Sequence, residues 1–526
     1  MRRVVAHELL RRAAELYPDA EVVDPAGRTT YAEAYQNAQR LATALAQRGV
    51  GPGTVVGVLG VNDRRFFELH FALSMLGAVI HPLNFRLPPA DLAYTVEHAG
   101  DDWIFAWAGF APLKEALGPR VGHWIWLEEG PVPEGELGYR ALLSEGRPET
   151  PDLARRVEET DPYTIFYTTG TTGRPKGMRY RHRDILLASL AILHHLALHP
   201  GGAHADAGDV FLPLIPFFHI HAWGAAFFVP YLGAKLVLSG RGGPEEQLAL
   251  IRREGVTWMN MVPTQLHLLL EAAGDAPLPL KVLTGGSPLP RGLARRAWQR
   301  GIRFGLIYGG SDQLATAIST VPPGVDPESE EAREALATWL LPVPFAQVRV
   351  LGEDGRPVPR DGKTLGEVVA DLPWLPPEGY HKDPEKSRLA YREEGFRSGD
   401  LAVVREDGRF FVVDREKDAI KSGGEWIPSA VLEAVLSEHP GVAQVAVLAM
   451  PDERWGERPL AVVQPAKGAG LDEAELLSHL ERAAAEGRIA RYWIPDRFVF
   501  VEAIPLTSAG KLHKAALRQQ LGLGKG

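Results

Sequence analysis

Apolar residues recur at helical spacing over residues 4–17 and 31–48, and a short apolar-rich run occupies residues 54–59. The recurrence turns one side of each long segment toward a core, and the short run has the length of a buried strand. The order then repeats, with a helix predicted over 66–76 and a strand over 78–81. Glycine and proline clusters such as Gly51-Pro52-Gly53 and Leu87-Pro88-Pro89 mark the junctions. Such alternation favours layered α/β structure with parallel strands.

Around residues 399–421 the character changes. Residues 410–414 read as the last strand of a large body, and Arg415-Glu416-Lys417-Asp418 is a charged connector. A compact pattern follows: a helix over 429–438, strands over 444–449 and 460–464, a helix over 472–486, a strand over 497–501 and a terminal helix from Leu512. The fold class is therefore α/β, with a large N-terminal domain of layered α/β subdomains (1–414) and a small α+β C-terminal domain (415–526). The hinge is placed near 414–417. A chain of 526 residues, 45% of them hydrophobic, is long enough to divide in this way.

Residues 210–234 contain no Lys, Arg, Asp or Glu, enough length for a membrane span. Pro213, Pro216 and Pro230, with His219 and His221, argue instead for a buried strand-turn-helix beside a ligand cavity. The net charge of −9 and the absence of a long basic run argue against nucleic acid as a partner. With no cysteine, disulfides, a thiol nucleophile and thiolate metal sites are excluded. The apolar stretch after Met1-Arg2-Arg3 is too short for a signal peptide, so the expected location is the cytoplasm, without a transmembrane segment.

The densest chemistry lies between Tyr167 and Gly177, where four threonines, three glycines and Lys176 follow a β-favouring lead. Glycine lets a backbone approach a ligand with its N–H groups turned inward, threonine adds hydroxyls, and lysine adds a mobile positive charge. Such a loop suits a polyphosphate. It lacks the spacing of a Walker A loop.

The run Tyr167-Thr168-Thr169-Gly170-Thr171-Thr172-Gly173-Arg174-Pro175-Lys176-Gly177 resembles the phosphate loop of the AMP-forming acyl-CoA synthetases, in the adenylate-forming superfamily. Seven further segments match in order, from about residue 31 to 514. The family resemblance implies ATP as substrate, held by Thr168, Thr169, Gly170, Thr171, Thr172 and Lys176. Pro216-Phe217-Phe218-His219-Ile220-His221-Ala222-Trp223 resembles the acyl-site motif, which implies an active-site role for His219 and an entrance-gate role for Trp223. Gly285-Gly286-Ser287-Pro288-Leu289 resembles the adenine-contacting turn, with Gly285 also beside the substrate. Tyr308-Gly309-Gly310-Ser311-Asp312 departs from the family's usual Thr-Glu at its last two positions. Its hydroxyl and carboxylate still suit the α-phosphate and Mg²⁺, with Thr168 and Asp312 as metal ligands, although aspartate is shorter and magnesium demands tight octahedral geometry. Tyr308 would stack on adenine.

Gly379-Tyr380 and Phe396-Arg397-Ser398-Gly399-Asp400 resemble the later core. Asp400, read as preceding a strand, is implied to clamp both ribose hydroxyls. In the stretch from Asp414 to Trp426, Arg415 is implied to contact the nucleotide and Lys417 to be the pivot of domain rotation. Gly423 and Gly424 would leave room for a pantetheine arm beside Trp426, and Lys421 is implied to be catalytic. Pro505-Leu506-Thr507-Ser508-Ala509-Gly510-Lys511 implies that Lys511 bridges the incoming carboxylate and the α-phosphate.

The implied enzyme is an ATP-dependent fatty acid–CoA ligase acting through an acyl-adenylate, with ATP, Mg²⁺ and coenzyme A as cofactors or co-substrates. Some such synthetases are homodimers. Alternatives are an aromatic or short branched acid, a carrier protein as acyl acceptor, and a non-catalytic adenylate-binding protein.

Overall fold

The computed structural model describes residues 3–117, 121–127, 132–133, 136–168, 174–199, 201–416, 418–423, 425–507 and 512–523. Three sheets organise these residues. The first has seven strands in the order Leu137–Gly138, His123–Trp126, Trp103–Ala106, Val55–Leu59, Val79–Pro82, Pro162–Tyr167 and Gly177–Arg181. Neighbours run parallel except for the last pair, a hairpin. The second sheet joins fourteen strands. It is parallel from Glu21–Asp24 through Lys235–Val237, Val210–Pro213, Trp258–Met261 and Lys281–Gly285 to Arg303–Gly310, and antiparallel from there to Gln347–Leu351. The third, of five strands, lies C-terminal to residue 419 and packs on the helices Ser429–Leu436 and Glu473–Ala485.

The predicted α/β layering and the smaller α+β body are both present. The helix predicted over 66–76 runs Arg64–Leu76, because Asp63 caps it by accepting from Phe66 N at 2.8 Å and Gly77 ends it at φ 65°. Every residue from Arg65 to Leu76 is buried, so this helix is sheathed by core on all sides.

One local expectation fails. Asp400 does not precede a strand; it lies inside the strand Gly395–Val404. Gly399 takes a φ of 67°, and the pairing slips a register between Leu401 and Ala402. A side-chain-free residue tolerates that left-handed step, and such irregularities re-aim the next side chain.

The uncharged stretch forms the strand Val210–Pro213, a turn, and the helix Ala225–Leu232, with Phe217, Phe227 and Phe228 buried. Among the described residues no helix is long and apolar enough to cross a membrane.

Candidate active site

The phosphate loop grows from the first sheet's hairpin. Its last paired residues are Tyr167 and Gly177, and a Cβ on Gly177 would come within 2.9 Å of the Tyr167 ring. Thr168 N donates to Lys176 O at 2.9 Å, while Lys176 N donates to Thr168 Oγ1 at 3.0 Å. These two bonds close the base of the loop. Thr169, Gly170, Thr171 and Thr172 lie outside the described residues.

Thr168 and Lys176 face a cavity of about 2450 Å³ between the large and small bodies. Single-ligand pockets are typically about 300–1,000 Å³, so there is room for a nucleotide and an acid together. The same wall carries Gly285, Gly286, Ser287, Tyr308, Ser311, Asp312, Asp400 and Arg415, together with His219 and Trp223.

Asp400 is buried and held from two sides. Tyr308 Oη donates to its Oδ2 at 2.7 Å, and Arg415 Nε lies 3.3 Å from Oδ1. Burial first, and then the Asp400 charge, push the Tyr308 phenol far up, so it stays a donor. The Tyr308 ring also meets Phe410 edge-on at 5.9 Å, so its plane is fixed by packing as well as by the bond.

Three tyrosines hold the Ser311-Asp312 turn. Tyr180 Oη donates to Ser311 O at 2.7 Å, Tyr391 Oη to Asp312 O at 2.9 Å, and Tyr380 Oη reaches Asp312 Oδ2 at 3.5 Å. Lys176 Nζ sits 4.4 Å from the centroid of the Tyr380 ring, so one aromatic side chain joins the phosphate-loop lysine to the candidate metal carboxylate. A single carboxylate beside a hydroxyl suits magnesium, which takes one or two protein oxygens and fills its octahedron with phosphate and water. Among the described residues no cluster of three or more His, Cys, Asp or Glu forms an all-protein cage.

Gly285 is required by close packing: a Cβ there would stand 2.4 Å from Ile307 O. Gly286 follows at φ 83°. The pair keeps this wall flat, as stacking of a planar base requires.

The acyl-motif segment has an unusual backbone. Ile220, His221, Ala222 and Trp223 have φ of 53°, 51°, 57° and 54°, and Gly224 follows at 80°. Each left-handed L-residue costs roughly 1–2 kcal/mol, because its Cβ crowds the following carbonyl oxygen. The turn brings His219 and the half-buried Trp223 to the same cavity. Asn62 accepts from Phe217 N at 2.8 Å and donates to Ile215 O at 2.8 Å, which fixes the approach to it.

The small body contributes Thr507, Leu512 and His513 to the cavity wall. Lys511 lies between them in sequence and outside the described residues, as do Lys417 and Gly424. Lys421, Gly423 and Trp426 are not brought to the cavity. Lys421 and Trp426 are cross-strand partners with Lys421 Nζ 5.1 Å from an indole centroid, and Gly423 N donates to Trp455 O at 2.8 Å. Their hairpin stands elsewhere on the small body.

Beside the joint, Asp414 Oδ2 accepts from Ser429 N at 2.7 Å and from Ser429 Oγ at 2.6 Å. Lys514 Nζ donates to Ser429 Oγ at 2.6 Å and pairs with Glu433 at 2.8 Å. The helices Arg291–Gln299 and Ser429–Leu436 meet across the gap between the bodies.

Sequence reasoning missed Tyr180, Tyr391 and the use of Tyr380. Only Tyr380 carried a signal, through Gly379-Tyr380; the other two sit on local hairpins and reach the turn only through side-chain contacts across the fold. It also missed His381, whose N–H donates to Gly177 O at 2.7 Å and which ties the later core to the phosphate hairpin.

Comparison with known proteins agrees with this geometry. The AMP-binding enzyme family matches residues 10–380, and the AMP-binding enzyme C-terminal domain matches residues 431–511. The long-chain-fatty-acid–CoA ligase of Thermus thermophilus is 41% identical over 529 residues, covering 98% of this chain and 95% of that protein. The 3-methylmercaptopropionyl-CoA ligase of Ruegeria lacuscaerulensis is 32% identical, with 97% and 96% covered. In fold, the chain is similar to an anthranilate CoA ligase in complex with anthranoyl-AMP, with a TM-score of 0.85 at 22% identity, covering 99% of this chain and 98% of that one. The chain belongs to the AMP-binding enzyme family, as an AMP-forming acyl-CoA synthetase of the adenylate-forming superfamily.

Proposed function

We propose that this ligase activates a medium- or long-chain fatty acid as acyl-AMP and passes the acyl group to coenzyme A. The observation that carries this reading is one cavity with two chemistries. A polar wall (Thr168, Lys176, Ser311, Asp312 and the Tyr308–Asp400–Arg415 group) faces the same space as the uncharged His219–Trp223 wall. The relative from Thermus thermophilus supports a long-chain acid.

A carboxylate oxygen attacks the α-phosphorus of ATP, and the bond to the bridging oxygen breaks to release pyrophosphate. A thiol sulfur then attacks the adenylate carbonyl carbon, and AMP leaves. In this scheme Asp400 accepts the ribose hydroxyls, with Tyr308 and Arg415 fixing its orientation. Tyr308 and Gly286 flank the adenine, and Ser287 and Ser311 supply hydrogen bonds. The phosphate loop and Lys176 take the β- and γ-phosphates, and Lys511 bridges carboxylate and α-phosphate. Asp312 and Thr168 would hold Mg²⁺, which when bound offsets charge on the phosphate oxygens.

Thr507 and Leu512 on the cavity wall support an adenylating orientation, with the Lys421–Trp426 hairpin away from the cavity. Rotation about the joint at 414–417, where we place the domain boundary, would exchange them and bring Gly423 and Gly424 beside the thiol. By analogy with fatty acyl-CoA synthetases, the enzyme is taken as a cytoplasmic homodimer, which sedimentation would test.

The deciding experiment is pyrophosphate release over straight-chain acids, 3-methylmercaptopropionate and benzoate, with and without coenzyme A. Specificity that climbs with chain length to a plateau, with turnover requiring coenzyme A, fits the proposal. A peak at benzoate or at the short thioether acid would overturn the choice of acid.

A further inference from the structure

The left-handed turn at Ile220–Trp223 needs a restraint from outside itself. Only its last neighbour, Gly224, is a residue that adopts positive φ freely, and Ile220 is β-branched, the type least suited to it. Two buried side chains reach in from other elements. Asn260, on the strand Trp258–Met261, donates from Nδ2 to Ala222 O at 2.8 Å. His70, on the buried helix Arg64–Leu76, meets His221 Nδ1 with its Nε2 at 2.8 Å.

Proton positions in the histidine pair follow from its partners. His70 Nδ1 lies 2.7 Å from Phe66 O. A carbonyl only accepts, so Nδ1 carries the proton and Nε2 is an acceptor. His221 Nδ1 must then donate, which leaves its Nε2 as a bare lone pair in the interior. Both rings are fully buried and held neutral by desolvation. Phe66, Phe217 and Phe227 pack around His70 with centroids 5.1, 5.0 and 5.9 Å away, so the ring has no freedom to turn.

We propose that His70 and His221 are positioning residues for acid selection: their hydrogen bond holds the left-handed turn, and the turn sets where Trp223 meets an aliphatic carboxylic acid. This rests on the reading of His219 and Trp223 as the acyl-site wall. Neither histidine lines the cavity that His219, Ile220 and Trp223 face; both are fully buried behind it.

The test is steady-state kinetics over a chain-length series with His221→Ala, His221→Asn and His70→Phe. Asparagine tolerates left-handed backbone and keeps a donor; phenylalanine keeps the ring packing of His70 and removes the bond. His221→Ala and His70→Phe should raise KM for the preferred acid about tenfold, the worth of one such bond, and flatten the chain-length profile, while KM for ATP stays within about twofold. His221→Asn should recover to within about threefold of wild type. His70→Phe decides the matter if His221→Ala does not fold.

Equal losses for every acid and for ATP, or no rescue by asparagine, would reduce the pair to core packing and overturn the proposal. Trp223→Ala run in parallel separates the two readings. If it shifts the acid profile and the histidine variants do not, the positioning inference alone falls. If Trp223→Ala leaves the profile unchanged, the acyl-wall reading falls with it.

Discussion

Gly292→Ala should separate the two half-reactions. Gly292 is the second residue of the helix Arg291–Gln299, and a Cβ there would stand 2.1 Å from Ser437 O and 3.0 Å from its carbonyl carbon. Real Cβ contacts essentially never fall under 3.0 Å, so the gap must open by about 0.9 Å. The obstacle is backbone at the end of the small body's helix Ser429–Leu436, so no side-chain rotation relieves it. Overpacking of this kind costs about 1–3 kcal/mol. That cost falls only on the orientation in which these two helices touch, which corresponds to a population shift of about 5–150-fold. Within the large body the change is benign, because alanine is a better helix former than glycine by about 1 kcal/mol. ATP–pyrophosphate exchange should therefore drop at least about fivefold, while thioester formation from supplied acyl-AMP and coenzyme A holds and the melting temperature barely moves. Unchanged exchange would show that this contact is not part of the adenylating arrangement, and equal loss of both half-reactions would make Gly292 merely structural.

Four further outcomes are expected. Lys511→Ala should slow adenylate formation by on the order of 10²–10³ and spare thioester formation from acyl-AMP, and equal loss in both steps would refute its assignment. Lys417→Pro, which fixes φ near −65°, should spare adenylation and slow the second step; normal thioester formation would place the pivot elsewhere. Tyr308→Phe removes the donor to Asp400 and should weaken ATP by roughly 10–150-fold, from the about 1.5–3 kcal/mol of a hydrogen bond to a charged group, while an unchanged KM for ATP would release Asp400 from the ribose. For pH, burial lowers His7 to about 4 and His182 to about 3, so each binds its proton more readily unfolded than folded. The stability they contribute is complete above about 6.5 and is lost as pH falls toward 4. The melting temperature should drop between pH 7 and 5, less steeply in His182→Gln, and an identical slope in that variant would clear His182.

The alternation of helices and short strands was legible because each element obeys its own periodicity; the runs at 31–48 and 54–59 needed no distant partner to be read. Motif order likewise marked the polar wall, since Tyr308, Asp312 and Asp400 each sit in or beside a glycine-rich run. What stayed hidden depends on contacts far apart in the chain. Asp400 inside a strand required the slipped register beside Gly399. The tyrosine support of Ser311-Asp312 required side-chain contacts between segments 68, 79 and 131 residues apart. The left-handed turn was invisible for a sharper reason: isoleucine and tryptophan signal against that conformation, so tertiary bonding overrides local preference there. The small body's orientation is equally absent from local pattern, and in the proposed scheme it would decide whether Lys421 or the Lys511 segment faces the substrates.

The bonding at Asp414 has a consequence for the proposed rotation. Asp414, Ser429, Lys514 and Glu433 form a relay of donors and acceptors where the last large-body strand gives way to the small body. Only the two bonds from Ser429 to Asp414 span the joint; water can replace them in kind, so parting them in the proposed rotation would exchange one set of hydrogen bonds for another of similar strength. A seal of interlocked leucines at the same place would expose fresh apolar surface at every turnover and slow the swing. In the proposed rotation the polar joint, with the Lys514–Glu433 pair carried along inside the small body, keeps the two orientations close in energy without touching any group that contacts the acid.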